Sequence, residues 1–125
     1  MSAISSFVHE LANEDLSRLD DRSLEQDVVD VSRLIDMLSA QLMVRIAEVD
    51  RRKTFAFDGF LSTQAWVASA CDMGAGNARR KVAVAQALET MPETTTRFSA
   101  GDISNDKVLI LADAVDAYPD RFAID

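Results

Sequence analysis

STQAWVASACDMGAGNARRKVAVAQALE, residues 62–89, is the stretch whose reading decides the fold. Ser62 is a good N-cap for a first helix through Ala65, Trp66, Ala68, Ser69 and Cys71, and Asp72-Met73-Gly74 reads as a tight turn. A second helix starts at Gly74, with Ala78, Val82, Ala85 and Leu88 at the spacing that lines one helical face. The segment reads as a helix-turn-helix over about residues 62–89. Arg79 and Arg80 fall early on the opposite, solvated face of the second helix, where a recognition helix meets phosphates or guanine edges.

The surrounding chain is acidic, with a formal net charge of −8 over 125 residues, which argues against a polyanionic partner. Its distribution reverses that argument locally. Residues 1–50 hold 11 acids and 4 bases, residues 51–100 hold 7 bases and 4 acids, and residues 101–125 hold 2 bases and 6 acids. The basic segment is the one that carries the helix-turn-helix pattern. Arg79, Arg80 and Lys81 are therefore the first candidates for contact with double-stranded DNA, and Arg51, Arg52 and Lys53 the second. Segregated charge is also what plain solvated helix faces produce, and Arg51, Arg52 and Lys53 suit a helix C-terminus for dipole reasons alone.

Upstream, a short amphipathic piece carries Ile4, Phe7, Val8 and Leu11 and is expected to pack as a helix. Ser23 with Gln26 forms a capping-box pattern, and from there no Gly or Pro interrupts the chain until about Lys53. Within this longest helix Leu24, Val28, Val31, Ile35, Leu38, Leu42, Ile46 and Val49 step by three or four residues. Leu34, Met37 and Val44 add a second stripe. Two origins give this spacing: an intramolecular core face, towards which the reading leans, or a homodimer seam. Downstream, Met91-Pro92 stops the second motif helix, Gly101 ends the short helix that follows, Ser104 caps a last one, and Tyr118-Pro119 breaks it.

Composition agrees with an all-α chain of five to six helices in a single domain, residues 1–125. Only 4 Gly and 2 Pro interrupt it, and 48 % of its residues are hydrophobic. The sole cysteine has no internal disulfide partner, no signal segment opens the chain, and no apolar run approaches the roughly 20 residues that span a bilayer. A cytoplasmic protein without membrane contact is expected.

Trp66-Val67-Ala68, Cys71-Asp72-Met73, Ala78-Arg79-Arg80, Ala83 to Leu88, Met91-Pro92 and Ala100-Gly101-Asp102-Ile103-Ser104 together resemble the bacterial domain of unknown function 222, also called the 13E12 repeat family. The resemblance runs from about Leu19 to the end. It implies a helical domain of the kind that precedes an HNH endonuclease domain in proteins often associated with mobile elements. The order of helices is also similar to the DNA-binding region of ParB-type partition proteins. Three features depart from an ordinary helix-turn-helix. Asp72 stands where Gly is usual, Lys81 stands at an inward position unless Val82 replaces it there, and Gly74, Ala75 and Gly76 offer no side chains to read base edges. Contact dominated by the phosphate backbone follows, with weak affinity.

Nothing in the chain assembles a catalytic centre. His9 is the single histidine and reads as a surface residue beside Glu10, and Cys71 reads as a packed thiol on the inward face of the first motif helix. The acids Glu25, Asp27 and Asp30, and likewise Asp102, Asp106, Asp113 and Asp116, lie at helical spacing and not in a ligand-rich loop. The expected molecule is non-catalytic, with neither metal nor cofactor. It either associates with DNA as the accessory part of an HNH-type protein or serves as a helical interaction and dimerisation module.

Overall fold

A carboxylate starts the longest helix, in place of the Ser23 hydroxyl expected there. Asp20 Oδ1 accepts the Ser23 amide at 2.8 Å, and the Asp20 carbonyl takes the first intrahelical bond from Leu24. Gln26 does not close a capping box; its Nε2 donates to Asp30 Oδ1 at 3.0 Å. A charged acceptor gains from the helix dipole as well as from the hydrogen bond, so Asp20 displaces Ser23. The bonds from the Ser23 side chain and amide hold the Asp20 carboxyl below its ordinary range. The helix runs without a break to Arg52, and Lys53 turns left-handed at φ 53° to end it.

The computed structural model describes residues 2–118. Their order is α1 (Ser2–Ala12), α2 (Asp21–Arg52), α3 (Thr63–Ala70), α4 (Ala75–Glu89), α5 (Pro92–Ser99) and α6 (Asn105–Ala117). Short 3-10 turns lie at Leu16–Arg18 and Thr54–Ala56, and no strand occurs among the described residues. The all-α expectation is met, with six helices. Pro119, expected to help end α6, lies outside the described residues; Tyr118 is its C-cap.

Two compact units divide the chain, Met1–Ser32 and Arg33–Asp125, with the boundary inside α2. In the first, no described side chain is fully buried, and Ile4, Phe7 and Val8 of α1 are all exposed. The second holds the core. Ala40, Met43, Ile46 and Ala47 of α2 join Val67 of α3, Ala78, Val82, Val84, Ala85 and Leu88 of α4, Phe98 of α5, and Val108 and Ala112 of α6. Alanines where helices meet allow close approach, and Phe98 supplies the largest fully buried side chain.

Polar side chains of α2 finish the ends of two other helices. Arg33 donates from Nε to the Gly101 carbonyl at 3.2 Å and from Nη2 to the Ala100 carbonyl at 3.1 Å, so it takes up carbonyls beyond the C-terminus of α5. Gly101 there has φ +79°, and a Cβ on it would lie 2.6 Å from Arg33 Nε. Asp36 Oδ1 accepts the Asn105 amide at 3.0 Å in the first turn of α6, beside the expected Ser104 cap, whose Oγ accepts the Lys107 amide.

The seam expected along α2 is not an intramolecular core face. Leu24, Val28, Val31, Ile35, Leu38 and Leu42 are all exposed, and of the predicted series Ile46 is buried and Val49 half-buried. Leu34 and Val44 of the second stripe are exposed too, and Met37 is half-buried. Residues 40, 43 and 47 lie on the other side of the helix from residues 35, 38 and 42, because one residue turns the helix by about 100°. The bundle uses the face of smaller side chains and leaves the larger ones in water.

Candidate nucleic-acid interface

Residues 62–89 fold as two helices, α3 and α4, joined by a short turn. Ser62 Oγ accepts the Ala65 amide at 3.1 Å, α3 ends at Ala70, Asp72 takes the left-handed conformation at φ 51°, and Gly74 begins α4. Asp occupies the left-handed position usual for Gly at a modest cost. Ala78, Val82, Ala85 and Leu88 are buried as expected. Val82 takes the inward role and Lys81 is half-buried, which settles the two placements open for Lys81. One side chain differs from expectation. Cys71 is exposed, because it forms the C-cap where the backbone already leaves the helix (φ −100°, ψ 5°). Trp66 is half-buried and packs against the core.

Asp50 near the end of α2 secures this helix pair. Its Oδ1 accepts the Thr63 hydroxyl at 2.6 Å and its Oδ2 accepts Gln86 Nε2 at 3.0 Å, so one carboxylate ties α2 to both α3 and α4. Thr63 is the one buried polar residue among those described. The bonds from Gln86 and Thr63, with Lys53 nearby, hold the Asp50 carboxyl below its ordinary range. Sequence reading missed Asp50, since an acid near a helix C-terminus with basic neighbours looks like a solvated residue. Its only signal was its poor match to the dipole at that end of the helix.

The six basic candidates have different surroundings. Arg80 Nη2 lies 3.1 Å from Asp113 Oδ2 of α6. Arg51 pairs with Glu48 and, at 3.1 Å, with Glu89 Oε2; Arg52 Nε lies 2.8 Å from Glu48 Oε2. These two guanidiniums hold the Glu48 carboxyl below its ordinary range, and Glu48 holds Arg51 above its own. Arg79, Lys81 and Lys53 have no ion pair among the described residues. Arg79 borders two shallow concavities. One is lined by Ser62, Gln64, Ala65 and Ala75, the other by Gly76, Arg80 and the acids Asp113 and Asp116. The exposed start of α4 presents Ala75, Gly76 and Asn77, with open space beside Gly74 and Gly76. The amides at this end of α4 have no side-chain cap, and of the two guanidiniums beside them Arg80 already faces a carboxylate while Arg79 does not.

Among the described residues no three His, Cys, Asp or Glu side chains come together as metal ligands, and no helix is long and apolar enough to cross a membrane. A family model described as domain of unknown function (DUF222) matches residues 22–125. No curated protein and no solved structure matches the chain.

Proposed function

The chain belongs to the DUF222 family, and from that premise we propose that it is a non-catalytic helical association module that pairs with a second copy of itself through α2. One observation carries this reading. A continuous run of large apolar side chains, Leu24, Val28, Val31, Ile35, Leu38 and Leu42, keeps coiled-coil spacing while remaining exposed on the side of α2 away from Ala40, Met43 and Ala47. Val28 is 65 % exposed and Ile35 58 %. Removing such a stripe from water stabilises association by roughly 25 cal/mol per Å² before the costs of ordering two chains. Sedimentation velocity across a concentration series tests it: a dimer is expected, with Ile35→Asp giving a folded monomer. A parent protein that stays monomeric at every concentration defeats the reading.

A second reading, weak association with double-stranded DNA, is favoured by Arg79 at the start of α4, exposed and without an ion pair among the described residues. Arg79 and Lys81 then touch phosphates, while Arg80, Arg51 and Arg52 contribute less because each already faces a carboxylate. In the setting that the family resemblance implies, ahead of an HNH nuclease domain, pairing would bring two nuclease domains to one duplex. Fluorescence anisotropy with a labelled duplex over a salt series tests the DNA contact. Arg79→Ala is expected to lower the salt slope by about one unit and Arg80→Ala by less, and absence of binding at low salt would remove this reading.

A further inference from the structure

On the α2 stripe, Leu24, Val31 and Leu38 fall on one heptad position, d, and Val28, Ile35 and Leu42 on the other, a. Extending the same heptads outward by one step at each end reaches two charged residues, Asp21 at a and Arg45 at d. Both lie within α2, and neither forms an ion pair among the described residues. Arg45 donates to the Gln41 carbonyl and side chain one turn earlier.

Resting on the proposed pairing through α2, we infer that the second copy lies antiparallel, in the register that sets Asp21 of each chain against Arg45 of the other. In an antiparallel pair, a positions face d positions. This register then matches Leu24 with Leu42, Val28 with Leu38, and Val31 with Ile35, so every apolar position meets an apolar one. Each end of the seam closes with opposite charges. A parallel pair sets Asp21 against Asp21 and Arg45 against Arg45, two like-charge contacts at the seam. Sliding the antiparallel pair by one heptad sets Val28 against Arg45 in one direction or Leu38 against Asp21 in the other.

Flanking positions agree with the same arrangement. Leu34, whose exposure of 38 % has no explanation within the chain, falls at g and meets its own counterpart beside the two-fold axis. The acids Asp27 and Glu25 fall opposite the uncharged Gln41 and Ser39, so neither meets a like charge across the seam.

Charge reversal tests the register by sedimentation equilibrium, with circular dichroism to verify that helix content is kept. Asp21→Arg and Arg45→Asp are each expected to weaken the dimer about tenfold, and the two together to return it to within about threefold of the parent, since the opposite charges again face each other. Cysteine pairing gives an independent measure in a Cys71→Ser background. Mixed Val28→Cys and Leu38→Cys chains are expected to cross-link on oxidation, and Leu38→Cys alone to give no cross-link. A double reversal no tighter than the singles, or cross-linking of Leu38→Cys alone, overturns the antiparallel register while leaving a dimer. A monomeric parent overturns the pairing itself.

Discussion

Val28 and Phe98 are both large apolar side chains on helices, yet Val28 in the first unit is 65 % exposed and Phe98 in the second is 0 % exposed. The unit from Arg33 onward buries Ala40, Met43, Ile46 and Ala47 of α2 against four other helices and satisfies the ends of α5 and α6 through Arg33 and Asp36. The unit up to Ser32 has a well-capped helix start and, among the described residues, no buried side chain. Capping and propensity are enough to specify a helix, but burial decides which part of it is stable alone. An exposed apolar face of this kind stays marginal until something covers it.

The comparison is broken most severely at Phe98. Phe98→Ala is expected to cost about 3–5 kcal/mol in chemical denaturation, because its space is closed on all sides by the packed helices. A loss under about 1 kcal/mol would mean that the core is not packed around it. Asp50→Ala comes next, at about 1–3 kcal/mol, since it leaves the buried Thr63 hydroxyl without its acceptor. The carboxyl of Asp50 is depressed in the folded state. Its stabilisation is therefore fully present above the ordinary carboxylate range near pH 4 and lost as pH falls through its lower folded value. The variant should accordingly show a flatter acid limb in stability measured against pH.

Gly101→Ala is expected to cost about 1–2 kcal/mol by thermal denaturation, because alanine is strained at φ +79° and its Cβ meets Arg33. Arg33→Ala should be destabilising by itself, because it leaves the Ala100 and Gly101 carbonyls without their donor. At the small end, Val28→Ala should change the unfolding free energy of the dilute chain by less than about 0.5 kcal/mol. A large loss there would move Val28 from the exposed face into a core that its exposure does not indicate.

Much of this was legible from residue types alone. Ser62, Gly74 and Ser104 mark helix starts by chemistry that acts within three residues, and Gly101 marks an end by its left-handed backbone, so local reading placed them correctly. Local reading took Ser23 for the cap and passed over Asp20, three residues earlier, whose charge the helix dipole favours at that end. Periodicity found the Leu24 to Leu42 stripe but not its exposure, because core faces and exposed apolar faces share one spacing. The true core face, Ala40, Met43 and Ala47, escaped notice because alanine carries little hydrophobic signal while permitting the closest packing. Charge neutralisation was invisible as well. Arg80 meets Asp113 across 33 positions of sequence, and Arg51 meets Glu89 across 38, contacts that only the tertiary fold creates.

Hydrogen exchange at two protein concentrations, one well above and one well below the dissociation constant of the proposed dimer, tests the contrast most directly. Amides of residues 24–35 should be protected in the concentrated sample and exchange much faster in the dilute one, while those of residues 40–47 should exchange alike in both, because pairing stabilises only what the bundle leaves uncovered. Identical exchange of residues 24–35 at both concentrations, or a concentration effect spread evenly over α2, would contradict the account.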